Sequence, residues 1–167
     1  EFLIPAYRLF DDGLFATMSK EIGHLNMSGG IRYDHRHLCS KALTEEEEGN
    51  MITRFEAFKR NFSGVTGSLG MAYEILPDLS IKANIARGFR APNISELSSN
   101  GVHEGTQRYE LGNKGLKAEN SWQFDLGLSY TSSIVSAELT LFANHINRYI
   151  YSARKADEDG QPVVSSE

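Results

Sequence analysis

At 167 residues, with 40% apolar and 23% charged residues and a net charge of −5, the chain is long enough for a real core. It is too acidic for a protein whose affinity would come from cations on phosphates, which excludes nucleic acid as a partner. The single cysteine, Cys39, rules out an internal disulfide and any CxxC metal or redox motif. No run of about 18 apolar residues offers a transmembrane helix, but transmembrane barrels hide in this composition because every second strand residue is polar.

The chain begins Glu1-Phe2-Leu3-Ile4-Pro5, with neither an initiator Met nor the basic region of a signal peptide, and is expected to be a piece of a longer protein. From Phe10 to Ile22 side chains alternate, with Leu14, Ala16 and Met18 on one face and Phe15, Thr17 and Ser19 on the other. Asn26–Asp34 repeats the pattern, with Met27, Ile31 and Tyr33 opposite Ser28, Arg32 and Asp34, and Ser28-Gly29-Gly30 disfavours a helix there. Residues His35–Asn61 are expected to form a long polar connection. Thr44 and Glu47 resemble a capping box, and Met51, Phe55 and Phe58 fall at helical spacing, which predicts a short helix. Glu45–Glu48 reads as a solvated loop face, with a cation-attracting vestibule as the alternative.

Ser63–Ile75 places Val65, Leu69, Met71, Tyr73 and Ile75 on one face. Leu76-Pro77-Asp78-Leu79 is a tight turn. Ser80–Arg90 alternates again and ends at Ala91-Pro92, where proline cannot donate to a ladder. A loop rich in Asn, Ser and Gly runs from Pro92 to Lys117. The next strand carries Trp122, Phe124, Leu126, Leu128 and Tyr130 on one face, with Ser121, Gln123, Asp125, Gly127 and Ser129 on the other. After a turn at Thr131-Ser132-Ser133, a sixth strand sets Leu139, Leu141 and Ala143 against Glu138, Thr140 and Asn144, with Tyr149 and Tyr151 closing it. The polar tail from Ala156 begins another loop.

Six strands joined by connections that run short, long, short, long, short have the rhythm of an outer-membrane barrel. Tyr33, Tyr73, Tyr130, Tyr149 and Tyr151 suit its interfacial girdle. The fold class is all-β: antiparallel up-and-down strands forming about six strands of a larger transmembrane barrel. Six strands leave two open edges, whose unpaired groups in lipid cost several kcal/mol each, so further strands are expected on both sides.

The string Ala86-Arg87-Gly88-Phe89-Arg90-Ala91-Pro92-Asn93, then Glu96-Leu97, Tyr109-Glu110-Leu111-Gly112-Asn113 and Leu116-Lys117-Ala118-Glu119-Asn120-Ser121, resembles the late barrel of a TonB-dependent outer-membrane receptor. Ala118 departs from the family's usual proline. Gly29–Asp34 and Ser63–Tyr73 also fit barrel strands of the family. The resemblance implies a 22-stranded barrel plugged by an N-terminal domain, of which residues 1–167 are part of the barrel and the plug is not in this chain. It implies a transporter, not an enzyme, in the outer membrane of a Gram-negative bacterium. The implied partners are the TonB complex acting through the plug, outer-membrane lipid, and a scarce nutrient such as an iron–siderophore or other metal chelate. No cofactor is implied. The rival reading is a soluble antiparallel β protein that buries Trp122, Phe124 and Leu126 around a small hydrophobic ligand.

No G-x-S-x-G elbow or spaced carboxylate pair marks catalysis. The candidate ligand contacts lie in the loop after Arg90: Arg90, Asn93, His103, Glu104 and Arg108. Arg87, Arg90 and Arg108 offer guanidinium forks to an anionic chelate, or pair with Glu96, Glu104 or Glu110. His35 and His37 share a face and, with His103, are candidate metal ligands, the alternative being rim histidines. His145 falls on the Leu141 side of its strand, and His24 sits in a turn with no evident role.

Overall fold

Strict alternation over most of the chain yields one sheet. The computed structural model describes residues 3–47, 49–103, 105 and 108–155. Its main strands are β1 (Tyr7–Ile22), β2 (Leu25–Ser40), β5 (Phe58–Leu76), β6 (Leu79–Arg90), β9 (Glu119–Thr131) and β10 (Ser136–Asn147). These pair in that order as an antiparallel six-stranded sheet. Its ends, β1 and β10, do not pair with each other, as expected for a wall segment and not for a closed six-stranded barrel. Two small hairpins complete the strands: β3 (Leu43–Glu47) with β4 (Asn50–Phe55), and β7 (Asn100–His103) with β8 (Arg108–Leu111).

Facing residues in a ladder share a side of the sheet, so the register sorts side chains into rows. One face carries Tyr73–Ile81–Leu128–Leu139, then Met71–Ala83–Leu126–Leu141, then Leu69–Ile85–Phe124–Ala143. The other face carries Ser19–Ser28–Gly70–Asn84–Asp125. There Asn84 Nδ2 donates to Asp125 Oδ2 at 3.1 Å, and Arg36 makes a two-pronged pair with Asp11 at 2.8 and 2.6 Å. Phe15, Phe142 and Ile146 interrupt the polar face on the two outermost strands. Phe15 lies under the Arg32 guanidinium at 6.0 Å.

The upper limit of the apolar band is not level with the rows. It lies above Leu14–Tyr33–Val65 on β1, β2 and β5, but two rows lower on β10, between Ala143 and His145. Two rows are about 14 Å of strand and five strand steps are about 24 Å, so a level band requires strands inclined by about 30°. This approaches the roughly 35–45° tilt of membrane barrels.

Buried residues collect at one end of the sheet. Leu38 and Phe62, from the polar face of β2 and β5, pack with Ala91, Ile94 and Leu97 from the long connection after β6. That connection therefore folds over the polar side of the strands. Trp122, Phe124 and Leu126 are 38%, 50% and 47% exposed, against the buried pocket that the soluble alternative requires.

Four expectations are corrected. The helix expected from Thr44, Met51, Phe55 and Phe58 is replaced by strands: Thr44, Met51 and Phe55 lie in the β3–β4 hairpin, where Glu46 faces Met51 and Gly49 reverses the chain with φ 82°, and Phe58 opens β5. Glu45 lies in β3 and pairs with Arg54 at 3.3 Å, so the described part of the acidic run is strand and not a loop face. Strand β2 continues through His35 and His37 to Ser40. Strand β10 stops at Asn147 because Arg148 takes a left-handed φ of 57°, a conformation that breaks a ladder. Tyr149 and Tyr151 lie beyond it, their rings stacked at 6.3 Å. The tail from Ala156 lies outside the described residues.

Candidate functional site

The long connection between β6 and β9 is built on a short helix, α1 (Ile94–Ser98). Pro92 and Asn93 start it: Asn93 Oδ1 accepts from the Glu96 amide at 2.8 Å, and the Asn93 amide donates to Glu96 Oε2 at 2.9 Å, a reciprocal capping box. The spacing Asn93-x-x-Glu96 is the sequence signal for this helix, and it lies inside what the composition alone marks as loop. Leu97 and Ile94 then point into the core beside Leu38 and Phe62.

Arg90, the last residue of β6, ties this helix to the wall. Its Nε donates to Glu119 Oε2 at 2.6 Å, and its Nη1 donates to Glu96 Oε1 and Oε2 at 2.8 and 3.1 Å. Glu119, only 8% exposed, also accepts from the amide of Ile150. One guanidinium thus joins the end of β6, the start of β9 and the helix cap, while Glu119 reaches the segment after β10. The hydrogen bonds from Arg90 hold the Glu119 carboxyl below the usual glutamate range, and Glu119 followed by Glu96 raises the Arg90 pKa further.

The segment after β8 closes under the helix. Gly112 N donates to Ser99 O at 2.7 Å and Asn113 N to Glu96 O at 2.8 Å. A Cβ at Gly112 would come within 2.6 Å of Leu97 C and Ser99 N, so only glycine permits this approach. Arg60 of β5 caps the carbonyls of Lys114 and Leu116. Lys114 Nζ donates to Glu56 Oε2 at 2.6 Å, which holds the exposed Glu56 carboxyl below its ordinary range.

The candidate residues separate. Arg90 and Asn93 are engaged in this framework, and the pairing of Arg90 with Glu96 matches the salt-bridge alternative. Arg87 is corrected: it shares the apolar face with Trp122, with its guanidinium 5.9 Å from the indole centroid, and it donates to Val65 O at 2.6 Å. It therefore lies on neither the polar wall nor the loop. His103 and Arg108 face each other across the β7–β8 hairpin. Arg108 is exposed, and His103 Nδ1 is a buried atom with no hydrogen-bond partner among the described residues. Glu104 lies outside the described residues.

His35 and His37 do share a face, but each has a local partner: His35 Nδ1 is 3.2 Å from Asp12 Oδ1, and His37 Nδ1 bonds Asn61 Oδ1. Among the described residues no three His, Cys, Asp or Glu side chains are grouped to hold a metal, so His35, His37 and His103 are not assembled as a ligand set. The reason is topological: the first two point away from the face over which the β6–β9 connection folds. His145 sits in the Trp122 row as its parity implied, and His24 pairs with Glu74 at 3.3 Å.

The model of the TonB dependent receptor-like beta-barrel family matches residues 4–164. The ferric enterobactin receptor of Pseudomonas aeruginosa is 34% identical over 94 residues, covering 51% of this chain and 13% of that protein. The vitamin B12 transporter BtuB of Photobacterium profundum is 30% identical over 90 residues, covering 54% and 13%. The chain thus spans 13% of the length of these curated relatives. Among solved structures, a double mutant of the Serratia marcescens hemophore receptor HasR, in complex with its hemophore HasA and heme, has a similar fold. The TM-score is 0.74 at 20% identity, over 93% of this chain and 28% of that one.

Proposed function

The chain belongs to the TonB-dependent receptor β-barrel family, and from that premise we propose that residues 1–167 are six wall strands of an outer-membrane receptor that imports a scarce nutrient. The substrate class is a metal chelate such as an iron–siderophore, in line with the ferric enterobactin receptor among its relatives. The plug domain lies elsewhere in the receptor, and the TonB complex acts through it to drive uptake. Transport, not bond chemistry, is the activity.

The observation that carries this reading is the two-faced sheet with its unequal ends. Tight turns at Gly23-His24, Pro77-Asp78 and Ser132–Val135 lie at one end. At the other, the β6–β9 connection folds over the polar side, where a lumen would be. Within that connection the framework residues Arg90, Asn93 and Glu96 position the hairpin, and His103 and Arg108, with Glu104, meet the ligand. The guanidinium of Arg108 suits the oxyanions of a ferric chelate.

The test is uptake of a labelled ferric chelate by cells carrying the intact receptor, with and without a working TonB complex. The reading expects uptake that is lost without the TonB complex, and Arg108→Ala should weaken chelate binding about tenfold, the worth of one charge-assisted contact. Uptake that persists without the TonB complex would overturn it.

A further inference from the structure

The wall splits between β5 and β6. Their ladder ends at Gly67 opposite Arg87, although both strands go on: β5 stays paired with β2 as far as Phe58, and β6 stays paired with β9 as far as Arg90. Strand β6 leaves the plane because its continuation turns inward, where Ala91, Ile94 and Leu97 pack on Leu38 and Phe62. The Phe89 ring goes with it and lies where a Cβ on Gly64 would stand. Above Gly67 the edge of β5 is left open.

The backbone groups that face this opening are fixed by alternation. In an antiparallel strand the N–H and C=O of one residue point to one neighbour, and those of the next residue point to the other. The Glu74 amide donates to His24 O on the β2 side, and Val65 O accepts from Arg87 on the β6 side at 2.6 Å. The β2–β5 register does not shift between Phe58 and Tyr73, so Ser63, Asn61 and Lys59 turn their N–H and C=O toward the opening. Arg87 occupies the carbonyl at its floor. Among the described residues no hydrogen bond reaches the backbone of Ser63, Asn61 or Lys59 from that side, and all three residues are exposed.

An open strand edge is a template for another chain, and its position decides which kind. Wall strands beyond β1 and β10 cannot take it, because β5 and β6 are neighbours in the sheet and are paired below it. A second copy cannot dock its wall there either, since below Gly67 the same edge of β5 is covered by β6. What fits is a single extended segment. Lys59 has no ion pair among the described residues and favours an acidic residue opposite it.

We propose that residues 59–63 of β5 bind an extended acidic segment of a partner polypeptide by strand addition, its backbone pairing with Ser63, Asn61 and Lys59. This rests on the reading that the apolar band spans the membrane, which places these rows, above Val65, in the outer medium.

The experiment uses the intact receptor in lipid nanodiscs and a phage-displayed library of dodecapeptides with a fixed central glutamate. Peptides are selected on wild type, counter-selected on Asn61→Pro, and synthesised. Proline at 61 removes one donor from the open edge and spares the β2–β5 bonds, which the even-numbered residues carry. Lys59→Glu, which plays no part in the selection, should weaken binding about 3- to 10-fold through the reversed charge pair, and Lys20→Gln, near the opposite end of β1, should leave it unchanged. Bound peptide should slow exchange of the amides at 59, 61 and 63 and leave those at 60 and 62, already in the ladder, as they were.

Labelling of Lys59→Cys, in a Cys39→Ser background, by a membrane-impermeant maleimide added to whole cells reads the premise separately. Labelling with no surviving peptide, or with peptides that neither respond to Lys59→Glu nor protect 59, 61 and 63, would overturn the strand-addition site alone. Amides at 59, 61 and 63 as protected as those at 60 and 62 before any peptide is added would also overturn it, because the edge would then be paired already. No labelling would overturn both the site and the outward placement of these rows.

Discussion

Arg90 is the residue on which the outer connection turns, because its guanidinium bonds two carboxylates from different elements. Arg90→Gln leaves the nearly buried Glu119 without its main partner. That change should cost about 1–3 kcal/mol, toward the lower end because the Arg90 side chain is 42% exposed and screened. It should be read as faster amide exchange across residues 91–99.

The pH dependence has a definite sign. Glu119 is depressed in the folded protein, so its contribution is complete above the usual glutamate pKa and is lost as pH falls through its lowered value. Arg90 is raised and stays charged throughout. Protection of the 91–99 amides, taken relative to their intrinsic exchange rates at each pH, should therefore hold from neutral pH to the usual glutamate range and fall only below it. A loss of protection above pH 6 would contradict the Arg90–Glu119 account.

Alternation made β1, β5, β6, β9 and most of β10 legible, because one face of each meets a different medium from the other. It failed where that difference ends. Past Tyr33 the two sides of β2 are polar rows and the loop-covered core: Leu38 turns inward while His35 and His37 turn out, so the apolar phase reverses and the strand looks like loop. The β3–β4 hairpin was hidden because Thr44…Glu47 and Met51, Phe55, Phe58 satisfy a helical template by chance, while the strand ladder depends on pairing across Gly49. Helix α1 was missed inside a stretch that composition marks as loop: Asn93-x-x-Glu96 is its cap signal, but with five residues it has too few turns to show periodicity.

The element-scale expectation for α1 is direct. Asn93→Ala should cost about 1 kcal/mol through the lost cap, and Leu97→Ala about 2–5 kcal/mol through the cavity at a side chain that is 0% exposed. Both should be measured as loop protection rather than as loss of the barrel. In the wall, Leu126→Lys should cost about 2–4 kcal/mol at mid-bilayer, whereas Thr140→Lys on the polar face should cost far less. The comparison is made by reversible unfolding of the intact receptor into lipid vesicles.

At the scale of the molecule, the sheet's two unpaired ends, its inclined apolar band and its inward-folded connection describe a segment of a larger wall. The family pattern was carried by short strings around Arg90, Gly112 and Glu119. In the fold these are, in turn, an ion-pair junction, a backbone contact that admits no side chain, and a nearly buried carboxylate. The ligand contacts were less legible, because an arginine or histidine in a loop reads the same whether it holds the loop or meets a ligand. Only the partners of Arg90 and Asn93 separated them from His103 and Arg108.

The central claim is that the Trp122 face lies against lipid and its opposite face lines an enclosed interior. A spin-label scan of β9 from Ser121 to Tyr130, in the intact receptor in lipid bilayers, tests it most directly. The account predicts a period of two, with high accessibility to membrane-dissolved oxygen at positions 122, 124, 126, 128 and 130 and low accessibility at the positions between. An alternation of opposite phase, or uniform protection along the strand, would contradict it.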